Sequence, residues 1–142
     1  MKLEKFLNTY PIWAAYKLHE RLVAPMQKIL KQRELTFLQS LILAAIYFEN
    51  SPVSPSELVK LFGTSLPNMS HSLKHLRTLG LVERSVDSVD SRRIKYILTT
   101  PAHSSLEGII ALHHNAQEDF ERKLSTHEIT IWCEFAKRFT QR

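Results

Sequence analysis

The sequence predicts a mainly α-helical (α+β) fold with one small β-hairpin past its midpoint. Three observations predict it. Only 3 of the 142 residues are glycine, so long irregular connections are not expected. Apolar residues recur at three- and four-residue spacing over most of the chain. One stretch breaks that period: residues 81–98 place short apolar runs on either side of a polar segment, the pattern of a hairpin.

Taken in order, Pro11 suits the first turn of a helix, where its missing N–H removes no bond. Ile12, Tyr16, Leu22, Val23, Met26, Ile29 and Leu30 follow at helical spacing, and Pro25 is expected to bend or interrupt that helix. Thr36 is a good N-cap for a helix over 37–48. That segment is apolar almost all round, so it is expected to be buried on most sides. Asn50-Ser51-Pro52 reads as a turn. Ser54-Pro55-Ser56-Glu57 then places a capping serine, a first-turn proline and a glutamate at the third helical position, which together form a capping box. This helix is expected to end at Gly63. Ser65 caps the next helix, which tolerates Pro67 in its first turn and runs to Leu79 before Gly80 stops it. Residues 81–84 form a strand, 85–91 a polar loop and 93–98 the returning strand. Beyond Thr99 the chain is helical again through Leu106, Ile109, Ile110 and Leu112. A second capping box, Ser125 with Glu128, opens a last helix carrying Ile129, Trp132, Phe135 and Phe139.

The length suits a single domain over 1–142, and 44% hydrophobic residues allow a real core. Net charge is +5, which favours a polyanionic partner. The excess lies in the first two thirds: residues 1–50 and 51–100 each carry seven Lys/Arg against four Asp/Glu, whereas 101–142 carry five against six. The single cysteine, Cys133, cannot make an internal disulfide, so an oxidising compartment is not indicated. No apolar run reaches the length of a membrane span, and Lys2, Glu4 and Lys5 break any signal-like run at the start. A cytoplasmic protein is expected, with no membrane association. No nucleophile motif and no phosphate-cradling glycine loop occur, so the chain reads as a non-enzyme without a cofactor.

Helix, short turn, helix, strand, loop, strand is the order of a winged helix-turn-helix, here over 36–99. In such a unit the second helix enters the major groove of duplex DNA and presents its N-terminal residues to base edges. Met69, Leu73, Leu76 and Leu79 are expected to face inward. Asn68, Ser70, His71, Lys74 and His75 then face outward, joined at the helix start by Ser65 and Pro67. Asn bonds adenine bidentately, and Ser and His reach bases or phosphates. The helix N-terminus adds free N–H groups and partial positive charge. On the wing, Arg92 is the candidate for minor-groove insertion, with Arg93 beside it and Asp90 holding the guanidinium through a charge-assisted bond. The plainer readings are an ordinary amphipathic helix and a solvated loop cluster.

Three motifs carry a resemblance. Leu35-Thr36-Phe37-Leu38-Gln39 resembles an LT-x-x-Q helix opening. Residues 65–82, closing Leu76-x-x-x-Gly80-Leu81-Val82, resemble a recognition helix and its exit. Asp90-x-Arg92 followed by Leu98-Thr99 resembles a wing signature. In joint order and spacing they are similar to the multiple-antibiotic-resistance regulator (MarR) family, over almost the whole chain. The resemblance implies a transcription regulator that works as a homodimer, with intertwined helices from 1–35 and 100–142, on a pseudo-palindromic operator, often under a small-molecule or oxidant signal. By position it places Asn68, Ser70, His71 and Lys74 at groove-reading sites and Arg92 at the wing tip. The chain departs from the family at Pro67, where a polar residue is usual, in a less basic wing, and near Ala102, where a glycine is usual. A winged-helix module that contacts protein instead of DNA is the alternative.

Outside the reading head, Ile12, Trp13, Tyr16, Trp132, Phe135 and Phe139 are expected to be buried mutually across a dimer. The competing reading is a ligand pocket lined by Trp13, Tyr16 and His19. No set of His, Cys, Asp and Glu shows metal-ligand spacing; His113 and His114 are adjacent and point to different helix faces. Cys133, between Trp132 and Phe135, is expected to be a buried, inert thiol, and a redox-sensing thiol is the other reading.

Overall fold

The structure, a computed structural model, describes residues 1–86 and 93–141. The chain divides into two compact units, Met1–Ser40 and Leu41–Arg142.

In the first unit, helix α1 (Lys2–Asn8) buries no residue and has no side-chain cap, and the sequence reading did not anticipate it. Helix α2 (Pro11–Leu18) begins on Pro11 as expected. The expected interruption at Pro25 is found one turn earlier, as a π-helical turn over His19–Val23 that leads directly into α3 (Ala24–Lys31). Pro25 has no N–H to return to the preceding turn, and a widened turn accommodates that loss without breaking the helix. Helix α3 buries Met26 and Leu30. It ends with Glu34 at φ 60°, while Glu34 N–H donates to Lys31 O at 3.0 Å and Leu35 N–H to Leu30 O at 3.0 Å. That pair of bonds is a Schellman motif built on a non-glycine residue.

Thr36 starts α4 (Phe37–Glu49) through a reciprocal pair. Gln39 N–H donates to Thr36 Oγ1 at 3.1 Å, and Thr36 N–H donates to Gln39 Oε1 at 3.0 Å. The Leu-Thr-x-x-Gln pattern is therefore a capping box with an uncharged partner. Ile42, Leu43, Ala44 and Ile46 on this helix are buried, whereas Tyr47 and Phe48 at its end are exposed.

In the second unit, α5 (Pro55–Phe62) carries the expected box at Ser54 and Glu57 and ends at Gly63, φ 63°. Helix α6 (Leu66–Thr78) is capped by Ser65 and followed by Gly80 at φ 73°. Strands β1 (Val82–Val86) and β2 (Ile94–Leu98) pair antiparallel with Val82 opposite Leu98 and Arg84 opposite Tyr96. The first strand runs two residues past its expected end, because Ser85 and Val86 continue the ladder opposite Lys95 and Ile94. Val53 adds a one-residue bridge to the other edge of β2, with Val53 N–H to Tyr96 O at 3.0 Å and Tyr96 N–H to Val53 O at 2.8 Å. Helices α7 (Thr100–Lys123) and α8 (Thr126–Thr140) complete the chain, the latter on its Ser125–Glu128 box. Leu58, Met69, Leu73, Leu76, Val82, Leu106 and Ile109 are all but inaccessible, each stabilising the fold by roughly 1.5–3 kcal/mol at most. Among the described residues, no helix is long and apolar enough to cross a membrane.

Candidate nucleic-acid interface

Helix α5, the Gly63 turn and α6 form the expected helix-turn-helix. The left-handed conformation at Gly63 lets its N–H bond Val59 O at 2.9 Å while the chain reverses into Thr64 and Ser65. Met69, Leu73 and Leu76 fix α6 from inside, and Leu79 is half-buried.

The outer surface of α6 resolves into two stripes at helical spacing. Asn68, His71 and His75 form one; Ser70, Lys74 and Arg77 form the other. Asn68, Ser70, His71 and Lys74 are exposed as expected, but His75 is half-buried. Its position next to the buried Leu76 turns it partly away from solvent, so it belongs to the margin of the face. Asn68 is held in place: Nδ2 donates to Thr64 Oγ1 at 2.7 Å. One amide hydrogen and Oδ1 are left, enough for a bidentate contact.

The start of α6 offers fewer N–H groups to a phosphate than expected. Pro67 has none, and that of Asn68 is taken by Ser65 Oγ at 3.3 Å. What the first turn does present is apolar, with Leu66 53% exposed and Pro67 exposed beside it. Leu66 was not singled out from the sequence. An exposed leucine at a helix start suits contact with a thymine methyl group.

Between the second stripe and the root of the hairpin lies a cleft of about 490 Å³, lined by Pro55, Ser70, Lys74, Arg77, Arg84, Ile94 and Tyr96. Arg84 and Tyr96 are direct cross-strand partners, so their side chains share one sheet face. Arg77 and Arg84 were also missed by the sequence reading, because the cleft they share is completed by Pro55, Ile94 and Tyr96, which are distant from them in sequence. Arg93 is exposed at the foot of β2. Asp90 and Arg92 lie outside the described residues.

The other candidates stand apart. Trp13 and Tyr16 stack with centroids 5.5 Å apart, and Lys17 Nζ lies 5.6 Å from the Trp13 ring centre. His19 Nδ1 is 3.7 Å from Glu20 Oε1. Trp13, Tyr16 and His19 are all exposed in the single chain, so they form an open surface there. Cys133 is exposed, contrary to expectation. The expectation rested on its apolar neighbours, yet α8 buries none of its own residues, and Trp132 and Phe135 are themselves exposed. Among the described residues no group of three metal-ligating side chains is found. Burial pushes the His113 imidazole below its usual range, while His114 Nε2 is 3.2 Å from Glu118 Oε1.

Residues 34–93 match the model described as MarR family, which bears out the resemblance read from the three motifs. No curated protein sequence matches the chain. Among solved structures, a complex of S. aureus MepR with DNA superposes at a TM-score of 0.77 and 20% identity, over 92% of this chain and 94% of that one. Bordetella bronchiseptica BpsR, in a structure addressing regulation of its DNA binding by 6-hydroxynicotinic acid, gives 0.73 at 18% identity over 91% of each chain. A cysteine-to-serine mutant of E. coli MarR with operator DNA gives 0.70 at 20% identity over 89% of this chain and 90% of that one. At these identities the likeness establishes a shared winged-helix fold.

Proposed function

We propose that this chain, whose residues 34–93 are a MarR-family segment, is a transcription regulator that binds duplex DNA sequence-specifically as a homodimer in the cytoplasm. The observation that carries the proposal is the outer face of α6, where Asn68, Ser70, His71 and Lys74 stand exposed on a helix fixed from inside. Asn68, His71 and the exposed Leu66–Pro67 tip read base edges, with Ser65, Ser70, Lys74 and His75 contributing from the flanks. Arg92 and Arg93 serve the wing, with Asp90 supporting Arg92. The structural neighbours bound to DNA support this use of the fold. The dimer rests on the exposed aromatic residues of the terminal helices. A small-molecule signal, of the kind 6-hydroxynicotinic acid is for DNA binding by BpsR, would act near Trp13, Tyr16 and His19.

Selection of bound sequences from random duplexes tests the reading. A palindrome with half-sites about one helical turn apart is expected, with affinity that falls as salt rises. Binding equal for all sequences, or indifferent to salt, would overturn it, and absence of any duplex binding would favour the protein-contact module.

A further inference from the structure

We propose that the cleft between the second half of α6 and the root of the hairpin seats a backbone phosphate of duplex DNA, with Arg77 and Arg84 as its positioning cations. The inference deepens the DNA-binding reading and rests on it. Lys74, Arg77 and Arg84 line one cleft, with no carboxylate among the described residues that line it. All three are exposed, and none makes an ion pair with another described residue. Like charges gathered this way repel one another, and an anion placed between them removes the repulsion. Two guanidinium groups give the planar, forked donors that match phosphate oxygens.

The position argues for a phosphate carried by the duplex. Ser70, Lys74 and Arg77 occupy one stripe of α6, so the cleft continues from the face that carries Asn68 and His71. Ser70 and Arg77 are seven positions apart, about 10 Å along the helix axis at the usual rise. A strand whose bases meet the start of α6 would then bring its backbone toward the other end of that stripe. Arg84 enters from β1, where its pairing with Tyr96 places it beside another residue of the same cleft. Tyr96 is itself rigid, since it is only 7% exposed and bonded to Val53 on its far edge. Ile94, Pro55 and Tyr96 supply an apolar wall against which a deoxyribose can lie. Contacts of this kind carry no sequence information; they set how deep and at what angle the reading helix sits.

The test uses the full chain and a duplex taken from the selection, together with a scrambled duplex. Affinity is measured against salt for the wild type, Arg77→Gln, Arg84→Gln, the double variant and Arg84→Lys, with Lys123→Gln as a control away from the cleft. Each Gln variant is expected to weaken both duplexes by a similar factor and to lower the slope of log Kd against log salt by about one. Arg84→Lys should keep the slope, and thermal melting should show each variant folded. Wild-type affinity and slope in the double variant would overturn the inference while leaving DNA binding intact. A changed base preference would also overturn it, since these residues would then be readers. If inorganic phosphate at matched ionic strength displaces the duplex from the wild type but not from the double variant, the cleft takes the free ion instead. Failure of the wild type to bind any duplex would remove the DNA-binding reading itself.

Discussion

Thr99 joins three segments through one hydroxyl and one amide. Its Oγ1 accepts from Ala102 N–H at 3.3 Å to open α7, and donates to Gly80 O at 2.6 Å. Its N–H donates to Leu81 O at 3.1 Å. The end of α6, the hairpin root and the long C-terminal helix therefore meet at one half-buried side chain. Thr99→Val keeps the volume and loses both side-chain bonds, so it should destabilise the fold by about 1–2 kcal/mol. Urea unfolding checks this, and an unchanged midpoint would show that the hydroxyl is dispensable. Such residues divide sharply in how far sequence reveals them. Ser54, Ser65, Gly63 and Gly80 were legible because a cap or a left-handed turn is decided within a few residues of chain. Arg77 and Arg84 were not, because a cleft completed by residues distant in sequence leaves no local pattern. Cys133 and His75 were misjudged because burial depends on which face a helix turns inward.

At the scale of elements, three helices among the described residues begin with reciprocal boxes, and two of the three are charged. Glu57 accepts Ser54 N–H at 2.7 Å and Ser54 Oγ–H at 2.9 Å. These bonds, backbone first, hold its carboxyl below the usual glutamate range, with Lys95 helping. Glu128 is lowered in the same way by Ser125. A carboxyl depressed in the folded state contributes stability that is present above its unfolded value, near pH 4.3, and is lost as pH falls through the folded value. Acidification below about pH 4–5 should therefore weaken α5 and α8, whereas the uncharged Thr36–Gln39 box of α4 is indifferent. The Glu57→Gln, Glu128→Gln double variant should lose less stability than the wild type between neutral pH and about pH 3. Denaturant midpoints across that range decide it, and identical acid losses would show that the boxes contribute nothing. Elements with strong caps were legible from the sequence. Helix α1, which has no side-chain cap and no buried residue, and the single-residue bridge at Val53 gave nothing comparable to read.

At the scale of the whole molecule, the single chain leaves a set of large apolar side chains uncovered at both ends of its sequence. Ile12 is 63% exposed, Phe135 52% and Phe139 91%, with Trp13, Tyr16 and Trp132 also exposed. Contiguous apolar surface of this kind marks a contact site, and in the proposed homodimer a second copy covers it with isologous symmetry. Phe135→Asp with Phe139→Asp should shift the protein from dimer to monomer in analytical ultracentrifugation and weaken operator binding by more than about tenfold, since two half-sites are then engaged independently. A variant that stays dimeric would place the interface elsewhere.

The π-helical turn at His19–Val23 has a bearing on that arrangement. A π turn fits one residue more than an α turn into nearly the same advance, so it resets the angular phase of everything after it by about 100°. A single helical wheel drawn through residues 11–31 consequently mixes two surfaces. The exposed aromatic row of Trp13 and Tyr16 and the buried aliphatic row of Met26 and Leu30 are read on separate wheels. Removing one residue from the turn would rotate one row against the other by about that angle, so the turn works as a phase adjuster that sets the direction of the aromatic row independently of the aliphatic one.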